Sequence, residues 1–152
     1  MTEPPTAIAG KPDATPRVDV SIVVPIYRSA PTLNELFRRL SAVMDATGLS
    51  YEFVFVDDGS PDESWDLLRQ YREKAPARVT AIQLMRNYGQ HNAVMCGFRH
   101  ARGRYIVTID DDLQNPPEEI PRLIETLRAR ELDLVYGVPR SKRHRAWQNV
   151  GS

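Results

Sequence analysis

From residue 18 onward, short β-branched runs alternate with amphipathic stretches, the pattern of βα units built on a mainly parallel sheet. Residues 18–24 predict the first strand, closed by Pro25. Leu33, Leu36, Phe37, Leu40 and Met44 then recur at spacings of three and four, so one face of the next helix is apolar. Residues 51–56 predict the second strand. Ser60-Pro61-Asp62-Glu63 has the form of a capping box, in which Ser60 accepts from the Glu63 amide and Glu63 reaches back, so a helix through Trp65 and Leu68 should follow. Residues 79–84 predict a third strand, and residues 89–101 a helix that is apolar or small on most sides, expected buried under the sheet. Residues 105–109 predict the fourth. Asn115-Pro116-Pro117-Glu118 opens another helix with Ile120, Leu123, Ile124 and Leu127 as its buried stripe, Pro121 being tolerated near the first turn. A short fifth strand is expected over residues 133–136. Ahead of these elements, residues 1–17 carry Pro4, Pro5, Pro12 and Pro16 without apolar periodicity and read as a disordered leader. The expected fold is α/β, one domain over 18–152, with helices on both faces of the sheet.

Composition narrows this little. At 152 residues and 41% hydrophobic, the chain suffices for one core. Lys plus Arg equals Asp plus Glu at 20 each, which gives no argument for nucleic acid as a partner. Cys96 is the only cysteine, lies in an apolar stretch, and reads as a packed thiol. His91, His100 and His144 show no zinc-ligand spacing with it. No apolar run approaches the roughly 18 residues of a membrane span.

Candidate chemistry gathers where strands end. In an open parallel sheet, ligands bind outside the carboxyl ends of the strands, where the strand order reverses. The first strand delivers Pro25-Ile26-Tyr27, the second Asp57-Asp58-Gly59-Ser60, the third Arg86-Asn87-Tyr88, and the fourth Asp110-Asp111-Asp112-Leu113-Gln114. Three adjacent carboxylates repel one another, and a hard divalent cation such as Mg²⁺ or Mn²⁺ compensates them well. Acidic pairs can hydrogen-bond a uracil imide or ribose hydroxyls, Arg86 can neutralise a phosphate, and Tyr27 can stack on a base. Each also has a plain structural reading: a packing tyrosine, a turn, a solvated cation, a solvated acidic loop. Neither G-x-G-x-x-G nor the P-loop pattern occurs, and there is no G-x-S-x-G elbow.

Val23-Val24-Pro25-Ile26-Tyr27, Val56-Asp57-Asp58-Gly59-Ser60, Arg86-Asn87-Tyr88-Gly89-Gln90 and Asp110-Asp111-Asp112-Leu113-Gln114-Asn115-Pro116-Pro117 together resemble the family 2 glycosyltransferases, within them the enzymes that move a sugar onto a polyprenyl phosphate. The resemblance implies a Rossmann-like, nucleotide-diphospho-sugar (GT-A) sheet and a nucleoside diphosphate sugar donor, with UDP favoured. It places Pro25, Tyr27, Asp57, Asp58, Arg86, Asp110 and Asp111 toward the nucleotide. Asp112 and Gln114 fall on the metal, and Asp110 and Asp112 are the catalytic candidates. Two positions depart from the usual motifs: Arg28-Ser29 stands where the family often has Asn-Glu, and Asp111 where a small residue is common.

A polyprenyl-phosphate acceptor is already anionic, so inversion by in-line attack needs no strong general base; an alcohol acceptor would need one, and none is evident. The family's polyprenyl-phosphate enzymes continue with further strands and often a membrane region. The expectation is therefore a chain lacking its C-terminal part, with the whole protein at the cytoplasmic membrane face. The basic run Arg140, Lys142, Arg143, His144, Arg145 reads either as a solvated tail or as a loop meeting anionic lipid phosphate. The competing readings are a nucleotide-binding module without an acceptor half and, more weakly, a sugar-nucleotide pyrophosphorylase, whose glycine-rich first loop is absent here.

Overall fold

The computed structural model describes residues 18–135 and 137. The expected leader and the basic run lie outside them. The elements run β1 (Val20–Ile26), α1 (Ala30–Thr47), β2 (Tyr51–Asp57), α2 (Ser64–Lys74), β3 (Val79–Gln83), α3 (Gln90–His100), β4 (Tyr105–Thr108), a short 3₁₀ turn (Pro117–Glu119) and α4 (Ile120–Ala129). The four strands form one parallel sheet in the order β3-β2-β1-β4. Side-chain alternation divides the core between its two faces. Ile22, Val24, Ile26, Phe53 and Phe55 pack with the apolar stripes of α1, α2 and α4. Val23, Val54 and Val56 face Ala93 of α3. Helices thus cover both faces, which is why β1 and β2 are buried along their whole length.

The periodic stripe of α1 is realised: Leu33, Leu36, Leu40 and Met44 are fully buried. Phe37 stacks on Tyr71 of α2 with ring centroids 4.3 Å apart, and the Tyr71 hydroxyl, pushed up to about 12 by burial, donates to Asn34 Oδ1 at 2.8 Å. At the opposite end of the sheet from the acidic loop, the Glu52 carboxylate accepts from Ser21 Oγ, from the Arg102 amide and from the Arg102 guanidinium. Burial alone would raise its pKa. The Arg102 and Ser21 hydrogen bonds outweigh that, leaving it below the usual range and fixing the turn between α3 and β4.

Four expectations need correction. Pro25 does not close β1 but lies inside it, paired with Val56. The ladder to β4 ends where the Ile109 amide donates to the Val23 carbonyl, so the hydrogen that Pro25 lacks falls beyond the last rung. The capping box does not form, because α2 starts at Ser64 and the Ser60 hydroxyl instead accepts from the Arg28 amide at 3.0 Å. Helix α3 is not buried on most sides: only Ala93 and Gly97 are, whereas Met95 and Phe98 are exposed, since no second layer covers its outer face among the described residues. Finally, residues 133–135 form no strand, and Leu134 is exposed; the last residue of that expected strand, Tyr136, lies outside the described residues.

Candidate donor-binding cleft

Chain direction across the sheet reverses between β1 and β4, and the strands there leave an open cleft of about 290 Å³ lined by Pro25, Ile26, Tyr27, Asp58, Asn87, Gly89, Gln90 and Asp111. These residues belong to strand ends, loops and the first residue of α3, Gln90, at the carboxyl edge of the sheet. Tyr27 is exposed at the rim, with the Arg28 guanidinium 5.4 Å from its ring centroid.

Asp58 is buried and accepts two backbone hydrogen bonds, from Tyr88 at 2.7 Å and Gly89 at 2.9 Å. Its carboxylate therefore shapes the loop between β3 and α3. Gly59 makes the same approach possible: its φ is +69°, and a Cβ there would lie 2.6 Å from the Arg86 carbonyl carbon. Asp57 is fully buried and does not line the cleft. Burial raises its pKa above the ordinary value, against weak hydrogen bonds from the Ser60 amide and Gln83.

The acidic loop divides its three carboxylates. Asp110 Oδ1 accepts from Gln90 Nε2 at 2.6 Å, tying the loop to the start of α3. Asp111 Oδ2 accepts from the Tyr27 amide at 3.0 Å and from the Ser29 hydroxyl, while its carbonyl accepts from Thr32 Oγ1 at 2.8 Å. Asp112 is exposed, and its Oδ1 accepts from the Gln114 amide at 3.0 Å. Asp110, Asp112 and Gln114 lie beside the cleft lining rather than in it. Arg86 is likewise outside the lining, exposed, with its guanidinium 5.0 Å from the Tyr88 ring.

Among the described residues no three His, Cys, Asp or Glu side chains form a closed metal cage. The donor set fits a different kind of site. Asp110 and Asp112 each commit one oxygen to the loop, which suits a hard cation that takes one or two carboxylates and completes its shell with water and phosphate oxygens.

Residues that pattern alone did not single out hold the first loop in place. Asp62 accepts from the Ala30 and Ser64 amides, and Ser64 Oγ accepts from the Ser29 amide at 2.9 Å. Their only signal in sequence is the cluster of short polar residues following Asp58, whose pattern is that of a helix cap.

Residues 21–150 match the profile described as Glycosyl transferase family 2. The chain belongs to that family. An undecaprenyl-phosphate 4-deoxy-4-formamido-L-arabinose transferase of Edwardsiella ictaluri is 48% identical over 128 residues, covering 84% of this chain and 39% of that protein. The transferase of the same description from Pseudomonas paraeruginosa is 46% identical over 129 residues, covering 85% and 38%. The chain thus spans well under half of these relatives. Among solved structures, the mannosyltransferase PcManGT of Pyrobaculum calidifontis, in complex with GDP-Man and Mn²⁺, superposes with a TM-score of 0.61 at 26% identity, covering 76% of this chain and 34% of that one. Residues 1–349 of TarS from S. aureus superpose with a TM-score of 0.62 at 23% identity, over 81% and 39%. These likenesses identify the parallel sheet as that of a GT-A glycosyltransferase. No helix among the described residues of this family member is long and apolar enough to cross a membrane.

Proposed function

We propose that this chain is the nucleotide-sugar half of an inverting glycosyltransferase that moves a sugar from a nucleoside diphosphate sugar, with UDP as the favoured carrier, to a polyprenyl phosphate. The observation that carries this reading is the cleft at the β1/β4 reversal, bordered by the acidic loop, in a chain 48% identical to an undecaprenyl-phosphate sugar transferase. Tyr27 at the rim offers a face for the base. Asn87 Oδ1 takes the Gly89 amide at 2.9 Å, which leaves its NH₂ to donate to an acceptor in the cleft. Asp58 acts on the donor through the loop it shapes, and Asp57 through the strand end it buries.

Asp112, Gln114 and Asp110 would hold a divalent cation, Mg²⁺ or Mn²⁺, whose chemistry when bound is to offset the charge growing on the departing diphosphate. Gln90 orients Asp110 for that task through the 2.6 Å hydrogen bond. An acceptor phosphate oxygen is anionic at neutral pH, so no side chain here needs to remove its proton. Such an acceptor would bring the whole protein to the cytoplasmic face of a membrane.

Calorimetric titration of the chain with UDP and GDP, each with and without Mn²⁺, tests the donor half. Metal-dependent binding of UDP over GDP is expected; binding of neither by folded protein would refute it. The acceptor half is tested by adding undecaprenyl phosphate and a UDP-sugar to the whole protein, with Asp112→Asn as the control that loses transfer. Undiminished turnover in that variant would remove Asp112 from the metal.

A further inference from the structure

We propose that Asp111 is a positioning residue of the donor cleft, fastening the acidic loop to the loop after β1 at the point where the sheet itself can no longer join them. The proposal rests on reading the cleft as the donor site. The β1/β4 ladder ends at Val23, and the next residue of β1 on that side is Pro25, which has no amide hydrogen with which to continue it. Asp111 resumes the connection with side-chain chemistry. Its Oδ2 accepts from the Tyr27 amide and the Ser29 hydroxyl, and Thr32 Oγ1 donates to its carbonyl. All three bonds join segments about eighty residues apart in sequence, with separations of 84, 82 and 79.

The two loops so joined carry Tyr27 on one side and Asp110 and Asp112 on the other. Base contact and metal contact must be held at a fixed separation for one nucleotide diphosphate to reach both, and Asp111 sets that separation without itself serving as a metal ligand. Ser29 is the matching partner. It is 5% exposed and donates to Asp111, so a carboxylate in its place would lose that donor and bring a second negative charge close to Asp111.

Because both side-chain bonds end on one oxygen, a neutral amide can replace the carboxylate by presenting its carbonyl oxygen. The test measures Mn²⁺-dependent UDP binding by calorimetry and the thermal midpoint for the parent chain and for Asp111→Asn, Asp111→Ala, Ser29→Glu and Ser29→Glu/Asp111→Asn. Asp111→Asn should bind within about threefold of the parent, and Asp111→Ala about tenfold or more weakly, as expected when the buried Ser29 hydroxyl and the Tyr27 amide both lose their acceptor. Ser29→Glu should weaken binding comparably, and Asp111→Asn should restore part of it.

Binding by the parent with Asp111→Asn as impaired as Asp111→Ala would mean that the charge itself is used, and would overturn the assignment. So would Asp111→Ala lowering the midpoint while leaving the affinity unchanged, since that is a purely structural role. If the parent binds neither UDP nor GDP with Mn²⁺, the donor-site reading falls and the proposal falls with it. Should Asp111→Ala fail to fold, the Asp111→Asn and Ser29→Glu pair decides.

Discussion

Two adjacent aspartates at the end of β2, one lining the cleft and one buried behind it, use the same functional group in different ways, and their amide variants should separate them. Asp58 gives one oxygen to each of two backbone amides, Tyr88 and Gly89, so an asparagine there satisfies one donor and points its own NH₂ at the other. Asp58→Asn should therefore cost about 1–3 kcal/mol, close to the cost of Asp58→Ala, as measured by urea denaturation. Asp57 runs the other way. Its raised pKa means that its contribution to stability is present below the ordinary carboxylate value and is lost as pH rises through the folded-state value. At neutral pH, Asp57→Asn should raise the urea midpoint, and the gain should vanish in acid; an unchanged midpoint at pH 7 would contradict the burial argument. None of this was legible from Val56-Asp57-Asp58-Gly59-Ser60 alone. The motif pointed to the right strand end, but which carboxylate faces the loop and which faces the interior depends on the β3–α3 segment, thirty residues away.

Among the elements, α1 was readable because one face is apolar, and β1 and β2 because short continuous apolar runs mark strands buried on both faces. Reading failed where tertiary contacts overrode a local rule. Ser60 preferred the Arg28 amide to the start of α2, and the expected fifth strand had no neighbour among the described residues. Helix α3 misled by composition: its small residues serve close approach to the sheet rather than all-round burial. At Gly97 an added Cβ would lie 2.3 Å from Val23 Cγ1, so Gly97→Ala should destabilise the fold by about 1–3 kcal/mol through overpacking. A second variant, Val23→Ala, should recover part of that loss in the double mutant, and strict additivity in denaturation would rule out the steric explanation. On the opposite end of the sheet, Glu52→Ala strands the Arg102 and Ser21 donors and should cost about 2–3 kcal/mol, again by urea denaturation.

For the molecule as a whole, the resemblance to glycosyltransferase family 2 was readable from four short motifs, because each sits at a strand end that a parallel sheet must bring to one edge. One contribution to the pH dependence of stability was not readable, since it depends on a pairing between α1 and the 3₁₀ turn. Arg39 of α1 binds Glu118 of the 3₁₀ turn, and its guanidinium hydrogen bond holds that carboxyl down to about 2. A depressed carboxyl stabilises above its ordinary value of 4.5 and loses that contribution as pH falls toward about 2. Replacing Arg39 with Gln should flatten the pH dependence of the urea midpoint across that window, by a small amount because Glu118 remains half exposed.

The strand order β3-β2-β1-β4 also sets a timetable. The first three strands are neighbours in sequence and can pair as they emerge, but β1 waits for β4 before its second edge is closed. The acidic loop follows that fourth strand. The cleft between β1 and β4 is therefore completed only once β4 has docked, and a nascent chain that has already buried β1 against β2 still has no acidic loop at its rim.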